Sequence, residues 1–209
     1  GSFINTPANC IVKKPKYLSF DEAATIPIVY LTVIYSLNYL TTLKKGDRVL
    51  IHSAAGGVGL AAVQYASSIG AEIFATAGTE EKRQLLKDLG VHHIMDSRTL
   101  DFCEQIKKIT KGKGVDIILN SLAGEAITKS FEVLAEGGRF IEIGKRDIYE
   151  NKKLPMALFK KNISYFAVDL ARFKQYDSKI VKGFLNQLFE LTKKKVIRPI
   201  RYSHYLIEQ

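Results

Sequence analysis

The sequence predicts an α/β domain built on a doubly wound parallel (Rossmann) sheet, and three observations carry that expectation. Arg48 to Ser53 is a short apolar run of the kind that forms a strand buried on both faces. It passes without a linker through the small, glycine-rich stretch 54–59 into Leu60 to Ile69, where apolar residues recur at helical spacing. From Gly70 to Gly144, strand-like and helix-like segments then alternate, the pattern of a parallel sheet with helices on both faces.

Taken in order, residues 1–17 form an opening segment with Pro7, Pro15 and a basic KKPK run, irregular or extended in character. Its first two residues, Gly1-Ser2, read as an expression scar, and Phe3-Ile4-Asn5 as the start of a piece cut from something longer. Ser19-Phe20-Asp21-Glu22 is a capping-box signature, so a short helix begins there. Pro27 breaks it, and Tyr30 to Leu40 resumes an apolar helical pattern that ends at the turn Lys44-Lys45-Gly46-Asp47.

After the glycine-rich unit come a strand at Glu72 to Ala77, a helix at Glu80 to Leu89 and a strand at His92 to Met95. A helix at Leu100 to Thr110, a strand at Val115 to Asn120, a helix at Gly124 to Leu134 and a strand at Gly138 to Ile143 continue the rhythm. Asp147 to Lys153 is polar, Leu154 to Lys161 suits a short helix with Pro155 in its first turn, and Ile163 to Val168 suits a sixth strand. Asp177 to Lys194 has a long helical stripe that includes Ile180, Val181, Phe184, Leu185 and Leu188. Pro199 ends it, and Ile200 to Tyr202 alternates like a last strand. The domain therefore reads as 18–202, with 203–209 the start of a return toward another domain.

Length and composition exclude several classes. With 209 residues and 46% hydrophobic content the chain can bury a sizeable core. Cys10 and Cys103 stand apart from each other and from any histidine pattern, so neither a disulfide framework nor a zinc site is expected. No leader pattern and no continuous membrane-spanning apolar run is read, which makes a cytoplasmic protein without membrane contact the expectation. The net charge of +10 favours anionic partners in general. It comes with no stacking or groove-reading motif, so nucleic acid is not expected.

The turn Ala54-Ala55-Gly56-Gly57-Val58-Gly59 sets alanine at the first position of a G-x-G-x-x-G fingerprint and glycine at the other two. Gly56 lets the backbone approach a pyrophosphate, Gly59 lets the helix pack on its strand, and the helix N-terminus offers free N–H groups to phosphates. A glycine-rich turn that only joins strand to helix is the bland alternative. The second strand ends Thr76-Ala77-Gly78-Thr79, with no acid until Glu80 and with Lys82, Arg83 and the later Arg98 nearby. An NAD site places a carboxylate on the ribose 2′-hydroxyl at this point, whereas a 2′-phosphate needs cations and hydroxyls. NADPH is the expected cofactor. His52, inside the first strand, reads as a packed, hydrogen-bonded histidine rather than a base, and His92 and His93 carry no assigned role.

The stretches ATIP (24–27), KKGDRVLIHSAAGGVGLAAVQ (44–64), GAEIFATAGTEEKR (70–83), SRTLDF (97–102), GVDIILNSLAGE (114–125), LAEGGRFIEIGKRDI (134–148) and FAVDL (166–170) resemble one family closely. They are similar to the enoyl reductase domain of modular polyketide synthases and animal-type fatty acid synthases, a branch of the medium-chain dehydrogenase/reductase superfamily. The resemblance covers nearly the whole chain from about Pro15. NSLAGE and GGRFIEIGK are its most discriminating parts.

The resemblance implies NADPH-dependent, metal-free reduction of an α,β-unsaturated thioester carried on the phosphopantetheine arm of an acyl carrier protein. It implies catalytic roles near the nicotinamide for Lys145 and Asp169. The cofactor-binding set it suggests, together with the motif, is Ala55, Gly56, Gly57, Val58, Gly59, Thr79, Lys82, Arg98, Asn120, Ser121, Leu122, Ile143 and Gly144. Most of the GroES-like substrate domain is missing from the chain, so Tyr30 and Tyr35 do not stand in for a tyrosine that domain can supply. Neighbouring synthase domains are the implied partners, and the fragment is expected to be a monomer or weak dimer. A free-standing quinone or enone oxidoreductase and a non-catalytic Rossmann scaffold are the alternatives.

Overall fold

The computed structural model describes residues 5–172 and 178–205. Gly1-Ser2, Phe3-Ile4, Asp177, the side chain of Ile180 and the 206–209 part of the return segment lie outside the described residues. Among the described residues, six parallel strands make one sheet: β1 (Arg48–Ile51), β2 (Glu72–Ala77), β3 (His93–Asp96), β4 (Val115–Asn120), β5 (Leu134–Glu142) and β6 (Ser164–Ala167), in the order β3-β2-β1-β4-β5-β6. Chain order reverses between β1 and β4, and the crevice at the carboxyl ends of these two strands is where ligands bind in such sheets.

Alternation along the strands divides the core into two layers. Val49, Ile51, Ile117, Leu119 and Ile141 face one side, and Leu50, Phe74, Ile118 and Phe140 face the other. The first side is covered by α2 (Pro27–Val33), α3 (Gly57–Ile69), α4 (Glu80–Asp88) and α8 (Ser178–Lys193), after the short α1 (Phe20–Ala24). The second is covered by α5 (Phe102–Ile109) and α6 (Glu125–Glu132). A four-residue α7 (Arg146–Tyr149) follows β5, and a 3₁₀ segment at Met156–Lys161 leads into β6.

The capping box forms as expected: Ser19 Oγ accepts the Glu22 N–H at 3.0 Å and the Glu22 carboxylate accepts the Ser19 N–H at 2.8 Å. Proline 27 starts a helix rather than only ending one, since a missing N–H costs nothing at the first turn. That helix widens into a π-helical segment over Ile34–Leu40.

Residues Phe20–Leu40 are a 21-residue stretch long and apolar enough, by length and composition, to cross a membrane, which corrects the expectation that none exists. Ile26, Tyr30, Val33, Ile34 and Leu37 are nevertheless fully buried in the protein core. The helix packs on α3 with those residues, while Phe20, Ile28 and Tyr39 of the same stretch are exposed.

Ile200 to Tyr202 forms no strand. The open sheet edges are β3 and β6, whereas this segment crosses helices α2 and α3: Tyr30 Oη donates to the Arg198 carbonyl at 2.7 Å, and the Arg198 N–H donates to Gln64 Oε1 at 3.0 Å. Its backbone has no neighbouring strand to pair with.

Candidate cofactor and active site

The glycine turn sits at the carboxyl end of β1, where Ser53 takes a left-handed φ of 50° and ends the strand before the turn. Gly56 is the N-cap of α3, no side chain caps the helix, and its first turn holds no acid. The first N–H groups of α3 thus remain available to an anion. A Cβ at Gly59 would stand 2.5 Å from both Ala54 Cα and Ser53 O, atoms of the backbone that cannot swing aside. Gly59→Ala is therefore expected to cost about 1–3 kcal/mol in urea unfolding and to weaken dinucleotide binding with it. A cost within about 0.5 kcal/mol, the range of an ordinary surface change, would show that the turn has room for a methyl group.

Of the expected cofactor contacts in this turn, Ala55, Gly56, Gly57 and Val58 lie at the surface or half-buried, and Gly59 is buried. At the far end of β2, Thr79 caps α4 by accepting the Lys82 N–H at 3.3 Å. Arg83 is not a spare cation. Its guanidinium pairs with Glu80 at 2.8 Å and Asp96 at 3.1 Å and donates to the Ala77 carbonyl at 3.1 Å, bracing β2 against α4 and β3. Lys82 and Arg98 are exposed, and among the described residues neither has a carboxylate at ion-pair distance. Arg98 lies close over Gly78, where an added Cβ would come within 3.2 Å of its Nε.

On the other half of the sheet, a cavity of about 600 Å³ opens between Val58, Ile143, Lys145, Val168 and Asp169, with Leu31 of α2 on its wall. Lys145 Nζ donates to Asp169 Oδ1 at 2.6 Å, with the two side chains 41% and 24% exposed. That bond, helped by the Ala171 N–H, holds the Asp169 carboxyl below its usual range. The two residues follow β5 and β6, one strand apart, which is why a pair separated by 24 positions meets.

A second cavity, of about 340 Å³, lies across the 144–145 backbone and is lined by Ser121, Leu122, Gly144, Lys145, Asp147 and Tyr165. Ser121 Oγ donates to the His52 carbonyl at 3.4 Å. The Asn120 side chain is spent inside the protein, as its amide donates to Glu142 at 2.6 Å and to the Leu122 carbonyl at 2.9 Å. Glu142 was not singled out by sequence reasoning. Its signal was there: an acid in the apolar strand GRFIEI.

His52 is buried, with Nδ1 2.9 Å from Thr76 Oγ1 and Nε2 2.9 Å from Ser130 Oγ. Ser130 Oγ donates to the Ala126 carbonyl at 2.6 Å, so it accepts from Nε2–H, and Thr76 donates to Nδ1. Burial pushes this imidazole down to about 3. It is a structural histidine on the face of the sheet away from α3.

The sequence profile of the family described as zinc-binding dehydrogenase matches residues 57–185. The chain belongs to that family. A mycocerosic acid synthase-like polyketide synthase of Mycolicibacterium smegmatis is 43% identical over 208 residues, 100% of this chain and 10% of that protein. The chain thus spans about a tenth of the length of such curated relatives. The solved nucleotide-binding subdomain of the enoylreductase domain of PpsC from Mycobacterium tuberculosis is 43% identical with a TM-score of 0.79, covering 83% of this chain and 97% of that one. The CurK enoyl reductase is 45% identical with a TM-score of 0.86, covering 95% of this chain and 59% of that one. Within the family, this chain is a nucleotide-binding half of the enoyl reductase type.

The family's description raises the question of zinc. Among the described residues, the donors close enough to share an ion are Cys103 and Glu104 of α5 and Glu132 at the end of α6, on the sheet face opposite α3. Lys129 and Lys107 already donate to Glu132 at 2.8 and 3.1 Å and hold its carboxyl at about 2, and burial pushes the Cys103 thiol up. Two ammonium groups stand where a cation would have to go. These residues do not fit a zinc ion.

Proposed function

We propose that this chain is the NADPH-binding part of an enoyl reductase that reduces α,β-unsaturated thioesters in a polyketide or fatty acid synthase. The observation that carries the reading is the Lys145–Asp169 pair on the wall of the larger cavity, at the carboxyl ends of adjacent strands and within the same cavity as Val58 of the glycine turn. Residues 18–202 form the cofactor domain, with 1–17 leading into it and 203–209 leading out. Gly56, Gly57, Val58 and Gly59, with Ala55, would hold the pyrophosphate. Thr79, Lys82 and Arg98 would hold the 2′-phosphate, and the loops at Asn120, Ser121, Leu122, Ile143 and Gly144 would border the nicotinamide end.

Bound NADPH supplies the hydride for the β-carbon of the enoyl thioester. The electron pair of the double bond then passes to the thioester oxygen as an enolate, and the α-carbon takes a proton. Lys145, held by Asp169, is suited to donate that proton from its ammonium group and to be reprotonated from solvent, and its charge offsets the developing enolate. The substrate reaches the site on the phosphopantetheine arm of an acyl carrier protein. The partners are neighbouring synthase domains in the cytoplasm, and the isolated chain is a monomer or weak dimer.

The cofactor half is tested by titrating the chain with NADPH and NADH while following nicotinamide fluorescence. NADPH is expected to bind more tightly, and Lys82→Ala or Arg98→Ala is each expected to cut the preference about tenfold, the worth of one charge-assisted bond to phosphate. Equal affinity for the two nucleotides in the unsubstituted chain would overturn the assignment of the 2′-phosphate site.

A further inference from the structure

Glu142 places a carboxylate where the strand pattern calls for an apolar side chain, and it is 2% exposed. Burying such a group is costly unless its lone pairs are used, so what it bonds to is informative. Its register partner across the sheet is Asn120, which is also fully buried. Glu142 Oε2 accepts Asn120 Nδ2–H at 2.6 Å, and Oε1 accepts the Gly144 N–H at 2.6 Å. Asn120 passes the link on, donating to the Leu122 carbonyl at 2.9 Å and accepting the Leu122 N–H at 3.2 Å.

The main chain of the same residue reaches a third loop, because the Val168 N–H donates to the Glu142 carbonyl at 2.8 Å one position before Asp169. A Cβ at Gly144 would stand 2.7 Å from Oε1, so glycine is what lets this N–H come so close to the carboxylate. Gly144 is bonded directly to Lys145. The carboxylate therefore sits at the junction of the three strand-end loops that border the cavity.

Building on the reductase reading, we infer that Glu142 is a positioning residue for Lys145. Its carboxylate locks the Asn120–Leu122 and Gly144–Lys145 loops together, so that the Lys145 ammonium meets Asp169 at the cavity wall. An apolar residue would fill the strand equally well but would leave the Gly144 N–H and one of the two Asn120 amide N–H groups without an acceptor. Glutamine keeps the volume yet turns an NH₂ group toward one of these two donors.

The test is a kinetic cycle in the complete enoyl reductase domain that contains this chain, with an enoyl pantetheine thioester and NADPH as substrates. It compares the unsubstituted enzyme, Glu142→Gln, Lys145→Met and the double variant. Glu142→Gln is expected to lower kcat about tenfold or more, the scale of a misplaced catalytic group, with KM for NADPH changed less than about threefold. In the Lys145→Met background the same change should have no further effect on kcat, since a residue acting through Lys145 has nothing left to position. Glu142→Asp, which retains both acceptor oxygens, should recover part of kcat.

An equal loss of kcat in both backgrounds, or a loss that only follows the folded fraction, overturns the inference. If Glu142→Gln does not fold, Glu142→Asp takes its place in the cycle, and failure of both to fold overturns the inference in favour of a purely structural role. An unsubstituted enzyme that does not reduce the thioester overturns the reductase reading itself. Turnover with additive losses overturns only the role of Glu142.

Discussion

Lys145→Met is expected to lower the turnover of an enoyl thioester about 100-fold, the lower end of what a positioned proton donor contributes, while NADPH affinity stays within about threefold. Methionine keeps the unbranched apolar stem of the side chain out to Cε and removes the ammonium, so the cavity wall is largely preserved while the proton and the charge are lost. The split between turnover and affinity decides the role of the residue. A lysine that merely held the cofactor would lower affinity and turnover together; one that protonates the substrate lowers turnover alone. Asp169→Asn is the companion measurement. Because the pair is part-exposed, little folding stability rests on it and the unfolding transition should barely move. The asparagine leaves the ammonium in place but no longer anchored by charge, so a smaller loss of about tenfold is expected. If both variants keep full turnover, the pair is a structural tie between two loops and the proton comes from elsewhere.

Part of this site was legible before any coordinates, and the division has physical causes. The strands Glu72–Ala77 and Val115–Asn120 are predominantly apolar and β-branched, with Gly78 after the first and Gly114 before the second, and their limits follow that pattern. The glycine turn and the capping box were legible because each rests on local chemistry; Lys145 and Asp169 were singled out by the family resemblance, and the order of the parallel strands places both at strand ends. Where a boundary moved, backbone conformation was responsible. The strand β1 stops at Ile51 ahead of left-handed Ser53, and α3 starts at Gly57, inside a stretch whose glycines look like turn. Strand β5 begins at Leu134 instead of Gly138 because Leu134 pairs with Val115; the ladder then shifts register through a bulge that includes Gly137, at a φ of 66°, and resumes at Arg139 opposite Ile117. The π-helical segment has no sequence signature. Partnerships formed across distant elements were the least accessible. Arg83 looks like a phosphate ligand until Asp96 is brought beside it, and Glu142 looks like an anomaly until Asn120 is seen as its register partner.

The pH dependence of folding should expose two buried groups that oppose one another. Burial pushes His52 from 6.5 down to about 3, so between those values the unfolded chain takes up a proton that the folded chain refuses. Its contribution to stability is present above about pH 6.5 and is lost as pH falls toward 3, by about 1.4 kcal/mol per unit. Glu142 has the opposite sign. Burial pushes its carboxyl from 4.5 up to about 7, against the pull of the Asn120 and Gly144 donors and with a further push from Asp147. Between pH 7 and 4.5 the folded chain therefore takes up a proton that the unfolded chain does not, and stability rises on acidification. Over the shared window, from about 6.5 to 4.5, the two contributions cancel, and the pair leaves the stability of the unsubstituted chain nearly flat. Glu142→Gln removes the rising partner. Relative to the unsubstituted chain, its unfolding free energy is expected to fall by about 1.4 kcal/mol for each unit of acidification between pH 6.5 and 4.5. His52→Gln should show the reverse, gaining by the same slope relative to the parent. Urea unfolding at half-unit intervals measures both, and the slope is the readout, because each substitution also changes stability through its lost hydrogen bonds. Parallel pH profiles for the parent and both variants would mean that neither group titrates differently in the folded chain, and that Glu142 stays ionised at neutral pH as an ordinary carboxylate.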